Sequence, residues 1–164
     1  MGYKVYIKKT MNQNVVILLA EDNLGHAKLT KKHLKRSGIS NTIIHFNNGA
    51  ELLNYLHNKS LSSEHPEEGL RYIAIMDLKM PVMDGYRTLK EMKQNDFLSV
   101  IPVIMYSTSD DPKEIYDCYH YGCNGYIVKP VIAEDFASFI KNLVGYLKII
   151  QVPIIKNNKP VKLC

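Results

Sequence analysis

The chain has 164 residues, 46% of them hydrophobic and 23% charged, enough for one globular domain with its own core; no apolar run approaches the about 20 residues of a membrane span. The net charge of +5 resides in two acid-free tails, with Lys4, Lys8 and Lys9 in residues 1–14 and Lys156, Lys159 and Lys162 in residues 150–164, so the middle of the chain is nearly neutral; the tails could favour an acidic partner or nucleic acid weakly, but six lysines with no recognition motif read better as solubilising. Cys118, Cys123 and Cys164 match no metal or redox spacing, the six histidines form no ligand pair, and the lysine-bearing N-terminus lacks the apolar stretch of a secretory signal, which points to free thiols and a cytoplasmic protein.

Val15–Ala20 reads as a buried strand, and Asn23 can cap a helix that runs to Ser37, with Gly38 as its stop. On that helix His33 shares a face with Leu29, Thr30 and Leu34 and reads as a partly buried helix residue. Thr42–Phe46 is a β-branched strand, Asn47-Asn48-Gly49 a turn, and Ala50–His57 carries leucines at helical spacing; 60–69 reads as a polar loop. Tyr72–Met76 is the next strand. A helix opens at Asp84 or Gly85 and runs to about Asn95 with Leu89 and Met92 inward. Ile101–Tyr106 is a strand, and Asp111-Pro112-Lys113-Glu114 starts a helix with Asp at N-cap, Pro at N1 and Glu at N3. That helix stops at Gly122, Tyr126–Val128 is a strand, and Ile132–Ile149 is the last helix. Strand and helix alternate five times, which predicts an α/β fold: a doubly wound parallel five-stranded sheet, (βα)5, with helices on both faces and right-handed crossovers. Residues 1–13 and 150–164 fall outside the pattern as basic extensions of a domain over 14–149. Residues 3–8 alternate as an exposed strand would, and 151–155 looks extended before an Asn157-Asn158 turn. These tails could pair as edge strands, bind a partner, or stay disordered, and Met11 could be the true start.

Four of the apolar runs end in polar chemistry. Glu21-Asp22 follows the first, Asp77 the third, Ser107 the fourth and Lys129 the fifth, and in an open α/β sheet the carboxyl ends of the strands are where ligands bind. A lone carboxylate at the end of a buried strand is costly to keep charged without partners. Glu21, Asp22 and Asp77 together make an oxygen-rich, negative pocket whose repulsion a hard divalent cation relieves, and Mg²⁺ suits it; the backbone carbonyl of Lys79 could add a ligand. An ammonium (Lys129), a hydroxyl (Ser107) and such a cation around one carboxylate form a receptor for a phosphoryl group, with Asp77 as the nucleophile.

This ordered set resembles the receiver domain of two-component response regulators, a flavodoxin-like fold of the chemotaxis-regulator type. The resemblance covers about residues 14–149. It rests on the acidic pair Glu21-Asp22, on Asp77-Leu-Lys-Met-Pro-Val-Met-Asp-Gly85, on Ser107 and on Lys129-Pro130, with Ser107 30 residues beyond Asp77 and Lys129 a further 22. It implies that Asp77 accepts phosphate from a phosphohistidine on a sensor histidine kinase or histidine phosphotransfer protein. It further implies that Asp22 holds Mg²⁺ directly and Glu21 through water, that Lys129 pairs with Asp77 and then with the phosphoryl group, and that Ser107 turns onto a phosphoryl oxygen. Tyr126 then stands where the family places its switch aromatic, which would swing inward with Ser107 and remodel the face made by helix four, strand five and helix five. The Lys129–Pro130 peptide is expected to be cis. Lys79 sets a second cation beside the pocket, either on the phosphoryl group or solvated.

With about 15 residues after the last helix, the expected output is a protein surface, as in single-domain regulators that work with phytochrome-type or hybrid kinases. Tyr116, Tyr119, Tyr121 and Tyr126 enrich the signalling region, although plain packing would also use them, and the tails could support a homodimer. The chain is expected not to be an enzyme beyond its own phosphoryl transfer and autodephosphorylation. The alternative is a receiver-like interaction module that is not phosphorylated. A nucleotide-binding enzyme lacks its glycine motif here, and an aspartate-nucleophile phosphatase would need a second Asp after Asp77-Leu.

Overall fold

The structure, a computed structural model, describes residues 11–61, 71–130, 133–156 and 159–160. Five parallel strands form one sheet: β1 (Val15–Ala20), β2 (Ile43–Phe46), β3 (Arg71–Met76), β4 (Val103–Ser107) and β5 (Gly125–Val128), in the spatial order β2-β1-β3-β4-β5. The helices between and after them are α1 (Leu24–Arg36), α2 (Gly49–Leu61), α3 (Gly85–Gln94), α4 (Pro112–His120) and α5 (Ala133–Ile149). The doubly wound (βα)5 fold expected from the alternation is the fold observed.

Period-two alternation in the strands feeds two separate cores. Ile17, Leu19, Ile73, Ile75, Ile104 and Tyr106 face α1 and α5, where they meet Ala27, Leu34, Ile140, Leu143 and Leu147. Leu18, Ala20, Ala74, Met76, Val103 and Met105 face α2, α3 and α4 and pack on Leu52, Leu56, Leu89, Met92 and Cys118. Each large aliphatic side chain so buried contributes about 1.5–3 kcal/mol. His33 is half-buried on α1, its ring edge-on to Phe136 at 5.2 Å. Cys118 and Cys123 are free and buried, and burial pushes the Cys118 thiol up to about 12, which keeps it protonated.

The caps follow the sequence: Asn23 accepts from the His26 N–H, Asp84 from Arg87, and Asp111 from Lys113 and Glu114, with Pro112 in the first turn. Gly38 and Gly122 follow α1 and α4 with φ of 90° and 92°, the left-handed stop for which glycine is suited. Several element ends shift by a residue from the sequence expectation, and two differences have clear local causes. Helix α2 continues past His57 to Leu61, because Asn58 and Lys59 are exposed on an outward turn that tolerates polar residues. Strand β4 begins at Val103 rather than Ile101, because Pro102 has no N–H for the ladder and contributes only its carbonyl, to the Ala74 N–H at 2.9 Å.

The segment after α5 packs onto the domain. Val152 and Ile155 are buried in the two cores, Arg71 donates to the Val152 carbonyl at 3.0 Å, and a short antiparallel pair, β6 (Ile155–Lys156) with β7 (Lys159–Pro160), follows. Pairing thus occurs within the C-terminal tail; the strand expected in 3–8 lies outside the described residues, as does most of the 60–69 loop. No helix among the described residues is long and apolar enough to cross a membrane.

Candidate phosphorylation site

Parallel pairing carries Glu21 and Asp77 to the same edge of the sheet. Ala20 is in register with both Phe46 and Met76. One residue further on, the Glu21 N–H donates to the Phe46 carbonyl at 3.0 Å and the Asp77 N–H to the Ala20 carbonyl at 2.9 Å. The carboxylates of Glu21, Asp22 and Asp77 each place an oxygen within 4.8 Å of the others; Asp22 is exposed, Asp77 half-buried and Glu21 buried. On the far side, Ser107 ends β4 in register with Val128, and the Lys129 N–H donates to the Ser107 carbonyl at 2.7 Å.

Lys129 closes the arrangement. Its Nζ lies 2.5 Å from Glu21 Oε2 and 2.6 Å from Asp77 Oδ2, with the Lys129 side chain 6% exposed. A buried ammonium needs partners of this quality, since the cost of desolvating it is recovered only by close charge-assisted hydrogen bonds. The other oxygen of Glu21 accepts from the Asn23 N–H at 3.2 Å, with His26 Nδ1 at 3.8 Å, and His45 Nε2 lies 2.7 Å from the Glu21 carbonyl. Both carboxylate oxygens of Glu21 therefore already hold protein partners, whereas Asp22 is exposed and the second oxygen of Asp77 has capacity left. That second oxygen accepts from the Lys79 N–H at a long 3.4 Å. Three carboxylates with one ammonium leave surplus negative charge on hard oxygen donors, the chemistry that fits a hard divalent cation.

Ser107 is buried, and its Oγ accepts from the Ser109 N–H at 3.3 Å. Tyr126 is half-buried and its hydroxyl donates to the Ser109 carbonyl at 2.9 Å, so Ser107 and Tyr126 share one loop as their partner. Lys79 reaches away from the carboxylates to Glu114 on α4 at 3.4 Å and is largely exposed; it is neither on the acidic cluster nor free in solvent. The Lys129–Pro130 bond corrects one expectation: no cis peptide occurs among the described residues, and this bond is trans, the form an X–Pro amide intrinsically prefers by about 0.5–1 kcal/mol. Of the four tyrosines, Tyr116 and Tyr119 are exposed, whereas Tyr121 packs edge-on to Tyr86 at 5.0 Å.

The loop after Asp77 is held at both ends. Leu78 and Met80 are buried anchors. Val82, 83% exposed, sits at φ 66° in a turn closed by the Met83 N–H on the Pro81 carbonyl at 2.7 Å, a conformation strained for a β-branched residue. The Met83 carbonyl then accepts from the Gly49 N–H at 3.0 Å, which ties the loop to α2. Reasoning from sequence missed Asn23, His45, Glu114 and Tyr106 around the cluster. Asn23 was visible only as a helix cap, and Tyr106 only as the last apolar residue of its strand.

Residues 17–141 match the family model described as the response regulator receiver domain. Among solved structures, a receiver domain from Rhodospirillum rubrum is 38% identical, with a TM-score of 0.76 over 86% of this chain and 99% of its own. The Mn²⁺-bound form of response regulator Rcp1 has a TM-score of 0.73 at 28% identity over 84% of this chain and 98% of its own. Rcp1 of Synechocystis is 28% identical in sequence over 82% of this chain and 90% of its length. The phosphorylated cyanobacterial phytochrome response regulator RcpA aligns with a TM-score of 0.73 at 27% identity, over 84% and 97%.

Proposed function

The chain belongs to the response regulator receiver domain family, and within that two-component role we propose that Asp77 is the phosphoacceptor, charged by a phosphohistidine on a sensor histidine kinase or histidine phosphotransfer protein in the cytoplasm. An Asp77 oxygen forms the new O–P bond as the N–P bond of phosphohistidine breaks, and the imidazole nitrogen leaves with the electron pair. Lys129 meets the negative charge on the transferred group, because its ammonium already stands 2.6 Å from Asp77. Ser107, whose Oγ accepts the Ser109 N–H in the described state, donates its hydroxyl to a phosphoryl oxygen. Tyr126 gives up the Ser109 carbonyl and packs inward, changing the α4–β5–α5 face that a partner or a second copy reads. The observation that supports this assignment most directly is the shared Lys129 ammonium between Glu21 and Asp77 at the strand ends.

Asp22, Asp77 and the Lys79 carbonyl would hold Mg²⁺, with Glu21 behind them; when bound it neutralises the oxygens that approach one another in the transfer. This site reading follows from the donor set and from the Mn²⁺-bound Rcp1 neighbour. Asp22→Ala is expected to weaken Mg²⁺ binding at least tenfold by titration calorimetry; an unchanged affinity would move the metal elsewhere.

The deciding experiment is intact mass after incubation with acetyl phosphate and Mg²⁺, beside Asp77→Asn. One phosphoryl group on the wild type and none on the variant is the expected result. Labelling that persists in Asp77→Asn would sink the assignment, and no labelling of either protein, even by histidine kinases, would favour an interaction module that is not phosphorylated.

A further inference from the structure

The ring of Tyr106 lies beneath the ammonium of Lys129, with Nζ 4.7 Å from the ring centroid. This arrangement follows from strand order. Lys129 leaves β5, its carboxylate partners stand at the ends of β1 and β3, and β4 lies between, so the lysine must reach over β4 to arrive. Adjacent strands are about 4.8 Å apart, a distance that a long, flexible side chain crosses in many rotamers unless something fixes it. Tyr106 is the β4 residue under that path. It is itself held: its ring is stacked on Phe139 of α5 at 5.3 Å and 8°, and it is almost wholly buried.

The chemistry of the pairing is specific. An ammonium has three N–H donors. Glu21 and Asp77 take two, and the face of an aromatic ring attracts the cation at the remaining side. A third carboxylate there would add negative charge to a pocket that must admit a phosphoryl group. A neutral π face holds the ammonium without that penalty. The phenol oxygen takes no part: the Tyr106 and Thr30 hydroxyls, neighbours where β4 meets α1, are both buried without a completed hydrogen bond. The ring is therefore the functional part of this residue.

We propose that Tyr106 is a positioning residue for phosphoryl transfer, whose ring fixes the Lys129 ammonium between Glu21 and Asp77. The inference rests on the assignment of Asp77 as phosphoacceptor and Lys129 as its cation. Removing a desolvated cation–π interaction from the transition state corresponds to about a tenfold slower transfer.

The test compares wild type, Tyr106→Phe, Tyr106→Leu and Tyr106→Met. Three quantities are measured: the rate of labelling by acetyl phosphate with Mg²⁺, the thermal midpoint, and the lysine side-chain NMR signals, with Lys129→Arg used for assignment. Tyr106→Phe is expected to label within twofold of wild type, to be at least as stable because an unsatisfied buried hydroxyl is gone, and to keep the ring-current shift of the Lys129 Hε protons. Tyr106→Leu and Tyr106→Met are expected to label about tenfold more slowly while folded, and to lose that shift. A folded Leu or Met variant that labels at the wild-type rate would overturn the inference, as would a wild-type Lys129 signal with no ring-current shift. Wild type that never labels would instead remove the phosphoacceptor reading, and the NMR signal would still report whether the ring holds the ammonium.

Discussion

Lys129→Met is expected to cost about 3 kcal/mol of stability without divalent metal and to slow phosphoryl incorporation at least a hundredfold. The side chain is 6% exposed and stands between two carboxylates, Glu21 at 2% and Asp77 at 13%. Methionine fills the space of the lysine stem but leaves those carboxylates facing one another, and removing one member of a buried ion pair is more damaging than never having built it. The second effect separates this from simple core damage. With the ammonium gone, the acidic cluster holds its full negative charge, so a divalent cation should bind more tightly and restore much of the missing stability. Denaturant unfolding of both proteins in EDTA and in millimolar Mg²⁺ reads this out. A larger metal-induced gain in the variant is the expected result. Equal gains would mean that the metal does not sit against Asp77, and equal stability in EDTA would mean that Lys129 carries no weight in the pair.

Much of this was legible in the order of residues. Buried strands of a parallel sheet are near-continuous apolar runs, so the residue that ends each run marks the sheet edge. Glu21, Asp77, Ser107 and Lys129 do stand along one edge, while the roles assigned to them are the subject of the proposed tests. What the sequence did not disclose depends on which strands are neighbours. Tyr106 alternates with Met105 as any strand residue would, and alternation assigns it only to the α1–α5 face. That its ring underlies a lysine from the next strand follows from β4 lying between β3 and β5. The Lys79–Glu114 pair joins a loop to a helix 35 positions away, which no local pattern encodes. Glu21 is a similar case, because an acidic pair in sequence does not say which member is held by Asn23 and Lys129 and which faces solvent. The late end of α2 and the late start of β4 have local causes, the polar last turn of α2 and Pro102. The trans Lys129–Pro130 bond differs from an expectation that came from family resemblance and not from these residues.

Gly85→Ala is expected to cost about 3 kcal/mol or more. Gly85 opens α3, and its N–H donates to the Leu78 carbonyl at 2.9 Å. A Cβ there would lie 2.1 Å from the Asp77 carbonyl oxygen and 3.0 Å from Leu78 Cα. Both obstacles are backbone, so no rotamer change relieves them. Relief requires moving either the helix or the segment that carries Asp77, and the helix is anchored by buried Leu89 and Met92. The methyl therefore converts packing strain into displacement of Asp77 from Lys129. Loss of labelling should exceed what the fraction unfolded explains. At this chain length the stability loss corresponds to a fall of roughly 6–12 °C in the thermal midpoint. Gly145→Ala supplies the control: its Cβ on α5 meets nothing within 4 Å, and exchanging helical glycine for alanine there should stabilise by about 0.5–1 kcal/mol with labelling unchanged. A Gly85→Ala protein with a wild-type midpoint would show that the Asp77 backbone can move freely, and the close approach of α3 would then have no part in holding the site.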